Sequence, residues 1–279
     1  MKLKKENRHS IHSWYQGRYT ETDGNRYKVL LVASVASMID QFNMSNIRLL
    51  QEMGAEVHVA CNFRQGNTCS RSRIIKLLRR LRDMQVVYHS WDCPRNIHAL
   101  AECARAYVQM CRLLRQYSFA WMHCQSPIGG VLARLAAHRQ KLPVIYTVHG
   151  FHFYKGAPLR NWLLYYPVEK LLSYWTDLLV TVNREDDQFA RQNLMSGKVC
   201  RIPGIGIDTK RFDVHTMKKD VREKEGWFCQ AYQIPKHALV LLSVGELNTG
   251  KNHRIVIQAL AALRRKDVYY MICGQGVQQ

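Results

Sequence analysis

Two short stretches carry residues able to act on a phosphorylated or hydroxylated ligand. The first is GELNTGKN (245–252), between an apolar β-branched run and an amphipathic one. A lysine at the start of a helix can neutralise a diphosphate, because the terminal backbone N–H groups and the helix dipole favour anions there. Lys251 holds that position, and Gly245, Glu246 and Asn248 precede it in the same turn as candidate ligand contacts. The stretch also fits the phosphate-cradling pattern G-x4-G-K-[ST] at every position but the last. There Asn252 replaces the hydroxyl that would hold Mg²⁺. The next apolar run ends in Cys273-Gly274 with no acid, so a nucleoside-triphosphate hydrolase is disfavoured. The remaining alternative is a plain turn with Lys251 in solvent. The GQG of Gly274 and Gly276 is too short for a dinucleotide fingerprint.

The second stretch is YTVHGFHFYKGAP (146–158), at the end of a continuous apolar run. His149 is the catalytic candidate, since an imidazole can trade a proton or orient a hydroxyl near neutral pH. Gly150 lets backbone approach closely. His152, Tyr154 and Lys155 are candidate substrate contacts, and a purely structural loop explains them equally well. In HCQSPIGGVLARLAA (123–137), Gly129 and Gly130 open a helix after a strand. They either admit a ligand or let helix and sheet pack, and packing is favoured.

Two further stretches are weighed. SRSRIIKLLRRLRD (70–83) places Ile74, Leu77, Leu78 and Leu81 on one helical face and Arg73, Lys76, Arg79 and Arg80 opposite. Such a helix suits either an anionic membrane surface or an ordinary core with a solvated basic face. Glu185-Asp186-Asp187 imitates a metal cluster, but acids after Asn183 complement a helix start. No site for a metal is expected.

These residues are positioned by a regular alternation. From Tyr27, β-branched runs at 28–35, 56–61, 86–90, 120–126, 143–150, 178–183 and 199–203 alternate with helical patterns near 42–53, 72–83, 96–117, 129–139, 159–175 and 185–194. Strand and helix in alternation predict βαβ units and a doubly wound parallel α/β sheet. Ligands of such sheets bind beyond the carboxyl ends of the strands. Residues 1–26 read as a polar tail, 27–204 as a Rossmann-like domain and 205–230 as a connector. Residues 231–279 form a second βαβ start, with strands at 238–247 and 268–276 around a helix at 251–264.

Composition sets outer bounds. The 279 residues are 47% hydrophobic and 22% charged, which suits a packed globular chain. Lys and Arg total 41 against 21 Asp and Glu, a net +20 that points to an anionic partner. Nine cysteines without a C-x-x-C pair, and no apolar leader, read as free thiols in a reducing cytoplasm. The run near Val29–Ile39 is too short to cross a bilayer.

The blocks HCQSPIGGVLARLAA, YTVHGFHFYKGAPLRNWLLYYPVEKLL (146–172), DLLVTVNREDDQFA (177–190), RIPGIGIDTKRF (201–212) and LLSVGELNTGKNH (241–253) together resemble one family. It is that of the group-1, family-four retaining glycosyltransferases of GT-B fold, in the branch of capsule and exopolysaccharide synthesis. The resemblance implies two Rossmann-like domains and transfer of a sugar from a nucleotide diphosphate sugar, commonly uridine-linked, to a lipid-linked glycan acceptor. It implies that His149 faces the acceptor or transferred sugar in an interdomain cleft and that Lys251 neutralises the donor diphosphate. With Lys251 it puts Gly245, Glu246, Asn248, Gly274 and Gly276 on the donor side, and Gly129, Gly130, His152, Tyr154 and Lys155 on the acceptor side. No metal or other cofactor is implied. Glu246 stands where many members carry Arg, a departure that suits donor-sugar contact better than phosphate. Members of the family continue further, through a spaced pair of donor-binding glutamates. The 279 residues alone are therefore expected not to transfer sugar without a complementing C-terminal polypeptide. A catalytically silent scaffold is the alternative. A basic nucleic-acid binder is less favoured, since no aromatic-lined groove or recognised module accompanies the charge. The expected location is cytoplasmic, peripheral on the inner face of the cytoplasmic membrane.

Overall fold

The computed structural model describes residues 26–96, 98–125, 127–207, 209–210, 213, 229–235 and 237–276. All of the tail expected over 1–26 except Arg26, and most of the connector expected over 205–230, lie outside them. The chain divides into two compact units between Gly206 and Ile207.

The first unit is built on seven parallel strands. They are β1 (Lys28–Val35), β2 (Glu56–Asn62), β3 (Val87–Ser90), β4 (Phe119–Gln125), β5 (Val144–Val148), β6 (Leu178–Thr181) and β7 (Lys198–Arg201). Their order is β3-β2-β1-β4-β5-β6-β7. The chain thus walks one way from β1 to β3, crosses back, and walks the other way from β4 to β7. Because parallel crossovers are right-handed, reversing the direction of travel moves the helices to the opposite face.

The helices obey this rule. On one face, α1 (Met44–Glu52) and α2 (Arg71–Asp83) bury Ile47, Leu50, Ile74, Leu77 and Leu81 against Val29, Leu31, Val57 and Val59. On the other, α3 (Leu100–Gln116), α4 (Pro127–Gln140) and α6 (Arg184–Asn193) bury Met110, Ala133, Ala136 and Ala190 against Leu30, Val32, Met122 and Tyr146. The remaining helix on that face, α5 (Leu159–Ser173), brings in Trp162, Tyr165 and Tyr166 at the margin. Central strands are sandwiched, so β1 and β5 are apolar almost throughout with no alternation.

The largest boundary difference from the sequence reading is at the first helix. A helix expected from about Phe42 begins instead at Ala36, as one turn over Ala36–Met38 followed by a π-helical turn at Ile39–Asn43. The extra residue of a π turn rotates everything after it, and such turns cluster at functional sites. Here it places Asn43 in the interior, fully buried.

The second unit holds β8 (Leu239–Val244) and β9 (Val268–Cys273), paired in parallel, with α7 (His253–Leu263) between them in sequence. Much of its apolar surface is uncovered, with Leu242 61%, Val244 78% and Ile255 57% exposed.

Candidate functional site

The first unit concentrates buried polar groups where β1, β4 and β5 end. The register pairs Gln125 with Thr147, so these two strand-end residues stand side by side, and His149 follows two residues later. His149 Nε2 lies 3.0 Å from Gln125 Oε1. Gln125 in turn donates from Nε2 to Asn43 Oδ1 at 2.5 Å. Asn43 donates to the Met38 carbonyl at 3.2 Å and accepts from Asn46 Nδ2 at 3.2 Å. The Phe42 ring, from the same π turn, packs on the imidazole with centroids 5.3 Å apart. A partly buried histidine is therefore held by side chains from three separate elements.

A second histidine lies behind it. His123 Nε2 is 2.8 Å from Thr147 Oγ1. Burial, and secondarily the charge that His149 would carry, pushes its pKa down to about 4. Burial also lowers that of His149. On β3, His89 stacks on His58 at a ring separation of 5.2 Å, and burial followed by His58 lowers it to about 4. The neutral rings are thus preferred in the folded state relative to the unfolded chain, whose histidines titrate near 6.5. The stability they contribute is complete above pH 6.5 and is lost as pH falls through 4. Thermal unfolding midpoints should fall between pH 6.5 and 4, and His123→Gln should flatten that slope. A midpoint constant across this window would refute the assignment.

The loop after His149 is shaped by alternation. Gly150 has φ +144°, a backbone conformation that side chains rarely adopt. Phe151 and Phe153 point inward and stack at 4.8 Å, joining Trp162, Tyr166 and Phe189. The Phe151 amide bonds the carboxylate of Asp186, and the Asn161 amide bonds the His152 carbonyl at 2.9 Å. His152, Tyr154 and Lys155 point outward, His152 beside the Tyr165 ring at 4.8 Å. These three are available to a ligand and are not drawn into the His149 network.

Gly129 and Gly130 are buried inside the protein. The Gly129 amide donates to Ser34 Oγ at 3.1 Å. A Cβ on Gly130 would stand 2.6 Å from the Tyr146 ring. That close approach also admits Arg134, whose guanidinium lies 3.8 Å above the same ring and pairs with Glu169 at 2.8 Å. The glycines position α4 and β5 through packing. In the acidic stretch, Asn183 caps α6 by accepting from the Asp186 amide at 2.7 Å, and Asp187 pairs with Arg191 at 3.0 Å.

The residues expected on the donor side all lie on the second unit, Gly245, Glu246, Asn248 and Lys251 in the turn from β8 to α7 and Gly274 and Gly276 just past the end of β9. The amides of Gly245 and Leu247 donate to the carbonyls of Cys273 and Gln275, each at 3.0 Å. This zips the turn to the strand end holding Gly274 and Gly276. Any Cβ on Gly274 would overlap the Gly245 carbonyl, and one on Gly276 would stand 2.8 Å from the Leu247 nitrogen. Both glycines are thus required by close backbone approach. Asn248 organises the turn, donating to Glu246 Oε2 at 2.9 Å and accepting from the Lys251 amide at 3.0 Å. His253 braces it from behind, 3.2 Å from the Glu246 carbonyl. Lys251 is exposed and makes no ion pair among the described residues. Lys251 and Asn252 precede α7, and Asn252 sits in the left-handed region at φ 50°. Neither lies in the helix's first turn, where the lysine and hydroxyl of a phosphate-cradling P-loop would be. Among the described residues, no three His, Cys, Asp or Glu side chains converge as metal ligands.

Gln125, Asn43 and His123 were not singled out from the sequence. Gln125 lies within HCQSP at a strand end, which is a usable signal, but its partner Asn43 is 82 residues away.

Residues 40–204 match the glycosyl transferase 4-like domain family, and the chain belongs to it. Over 261 residues it is 35% identical to EpsD of Bacillus subtilis (strain 168), which carries the name of a glycosyltransferase, covering 90% of this chain and 62% of that one. It is 26% identical over 189 residues to the UDP-Gal:alpha-D-GlcNAc-diphosphoundecaprenol alpha-1,3-galactosyltransferase of Escherichia coli, covering 65% of this chain and 47% of that one. The chain thus spans about three fifths of EpsD and about half of the galactosyltransferase. Among solved structures it resembles a glycosyltransferase of Rickettsia africae (18% identity, TM-score 0.62, covering 90% of this chain and 61% of that one). It equally resembles Anabaena HepE in complex with UDP and glucose (14% identity, TM-score 0.63, covering 90% and 62%). At these identities the structures establish the fold, which is GT-B.

Proposed function

We propose that the chain is the acceptor-side domain and part of the donor side of a glycosyltransferase that moves a sugar from a uridine-diphosphate sugar to a lipid-linked glycan acceptor in capsule or exopolysaccharide synthesis. The observation that carries this reading is His149, a partly buried neutral imidazole fixed at a strand end in a chain of this family. The names of the relatives supply the substrate classes: a UDP-sugar and a diphosphoundecaprenol acceptor for one, UDP and glucose in the other. In this reading Lys251 and the start of α7 neutralise the diphosphate without a metal, and Glu246 meets the donor sugar. The uncovered apolar residues of β8 and α7 support pairing of the second unit with further polypeptide. The test is purification of the chain alone and together with the matching C-terminal part of a relative, followed by UDP calorimetry and a product assay with a diphospholipid acceptor. Transfer only by the combination is expected. No transfer by either would overturn the assignment, and transfer by the chain alone would overturn the need for a complement.

The same reading places the protein against the cytoplasmic membrane. No helix among the described residues is long and apolar enough to cross one. Arg79, Arg80 and Lys76 are exposed on α2, whereas Arg73 is paired with Asp40 at 2.6 Å. Leu159 and Leu163 are exposed beside Arg160 at the start of α5. Binding to anionic vesicles should weaken steeply as salt rises, because the Debye length shrinks to about 8 Å at physiological strength. Equal retention on neutral vesicles would contradict a charge-driven contact.

A further inference from the structure

We infer that Gln125 is a positioning residue that fixes His149 as the Nε2–H tautomer, so that the ring offers a ligand its Nδ1 lone pair and selects a hydroxyl donor over an anion. The inference deepens the sugar-transfer reading, on which the identity of that hydroxyl rests, but its geometry stands without substrate.

The hydrogen bonds have only one consistent direction. The Met38 carbonyl can only accept, so the Asn43 group 3.2 Å from it is the amide NH₂. Asn43 Oδ1 is then the atom facing outward, and it accepts from Asn46 and from Gln125. Gln125 must therefore present NH₂ to Asn43 and its carbonyl oxygen to His149. That oxygen, 3.0 Å from Nε2, can only accept, so Nε2 carries a proton. A neutral ring has one N–H, and Nδ1 is left as the acceptor. Asn43 and Gln125 are 0% and 3% exposed, so water does not compete for this chain of bonds. It is anchored on the Met38 carbonyl in the turn between β1 and α1, and cannot reverse unless that turn moves.

The neutral form is favoured by the surroundings. Phe42 packs against the ring, and the titratable neighbour His123 on β4, held by Thr147 and itself neutral, supplies no negative charge that would favour the imidazolium. Burial lowers the His149 pKa in the same sense. A neutral imidazole with a bare Nδ1 accepts a hydrogen bond from a sugar hydroxyl. It gives a phosphate or carboxylate no donor on that nitrogen.

The tautomer is directly measurable in the substrate-free chain by ¹⁵N chemical shifts of histidine ring nitrogens, with His149→Asn used to identify the signal. The expected result is a protonated Nε2 and a bare Nδ1 at neutral pH. In Gln125→Met, of similar shape and without an acceptor, the bias towards that tautomer should fall about tenfold, the ratio that roughly 1.4 kcal/mol of hydrogen bonding sets. Gln125→Glu should instead raise the His149 pKa, since a carboxylate stabilises the imidazolium. His123, bonded to Thr147, is the internal control for an intact fold, and wild-type protein alone decides the first point if a variant does not fold. A wild-type ring protonated on Nδ1, or a tautomer unmoved in folded Gln125→Met, would overturn the inference. A confirmed tautomer in a protein that transfers no sugar would overturn only the functional reading.

Discussion

Replacing Glu169 by alanine is expected to lower the thermal unfolding midpoint of the first unit by about 10 °C. Glu169 accepts from Arg134 Nη2 at 2.8 Å and from the Tyr146 hydroxyl at 3.1 Å. Arg134 also bonds the Gly130 carbonyl at 3.0 Å, and its side chain is 1% exposed. Removing the carboxylate strands a guanidinium that cannot lose its proton or reach water. Breaking one half of a buried pair costs roughly 3–5 kcal/mol, and about 2–4 °C accompanies each kcal/mol in a domain of this size. The pair joins α4 to α5 across Tyr146, three residues before His149, so the loss should also loosen the loop that follows. Arg134→Met combined with Glu169→Met should recover much of the midpoint, because an apolar pair of similar volume leaves no buried charge. A single Glu169→Ala change that moves the midpoint by less than about 2 °C would show that the pair contributes little.

Lys251→Ala and His149→Ala should separate cleanly in an assembly competent for transfer. The lysine stands on the second unit, exposed and without an ionic partner among the described residues, at a turn that Asn248 and two close-packed glycines hold in shape. A hydrogen bond to a charged group is worth about 1.5–3 kcal/mol, so Lys251→Ala should weaken UDP binding by roughly 10- to 150-fold and change turnover at saturating donor far less. The histidine stands on the first unit. His149→Ala should lower turnover with acceptor by about 100-fold or more, the scale of a lost acid–base or orienting group, with donor affinity nearly intact. Calorimetry with UDP and a steady-state assay on each variant decide it. Equal losses of donor affinity in both would sink the division.

Much of the first unit was legible from residue types. Continuous apolar runs such as VIYTV (144–148) mark strands buried on both faces, and the 3.6-residue spacing of Ile74, Leu77 and Leu81 marks the buried stripe of α2. Both signals are local, because burial of a repeating backbone geometry imposes a period that short stretches display. The cap at Asn183 was legible for the same reason, since its partner lies three residues on. His149 and Lys251 could be singled out because strand ends and helix starts are where a parallel α/β sheet exposes its chemistry.

The start of the first helix was not legible. Nothing in ASMIDQFN (36–43) signals the π turn from which Asn43 reaches Gln125 and Phe42 reaches His149. The roles of the glycines were also settled in three dimensions. Gly130 is required by the Tyr146 ring beneath it, and Gly274 by the Gly245 carbonyl across the strand pair. The sequence by itself determined the alternation of elements, the basic surface and the residues able to act on a phosphate or a hydroxyl. Only the tertiary structure decided which of them are held, and in what protonation state. Period and propensity act between near neighbours. The hydrogen bonds that orient a side chain close between residues brought together from 24 to 82 positions apart, and a chain read in order carries no record of those distances.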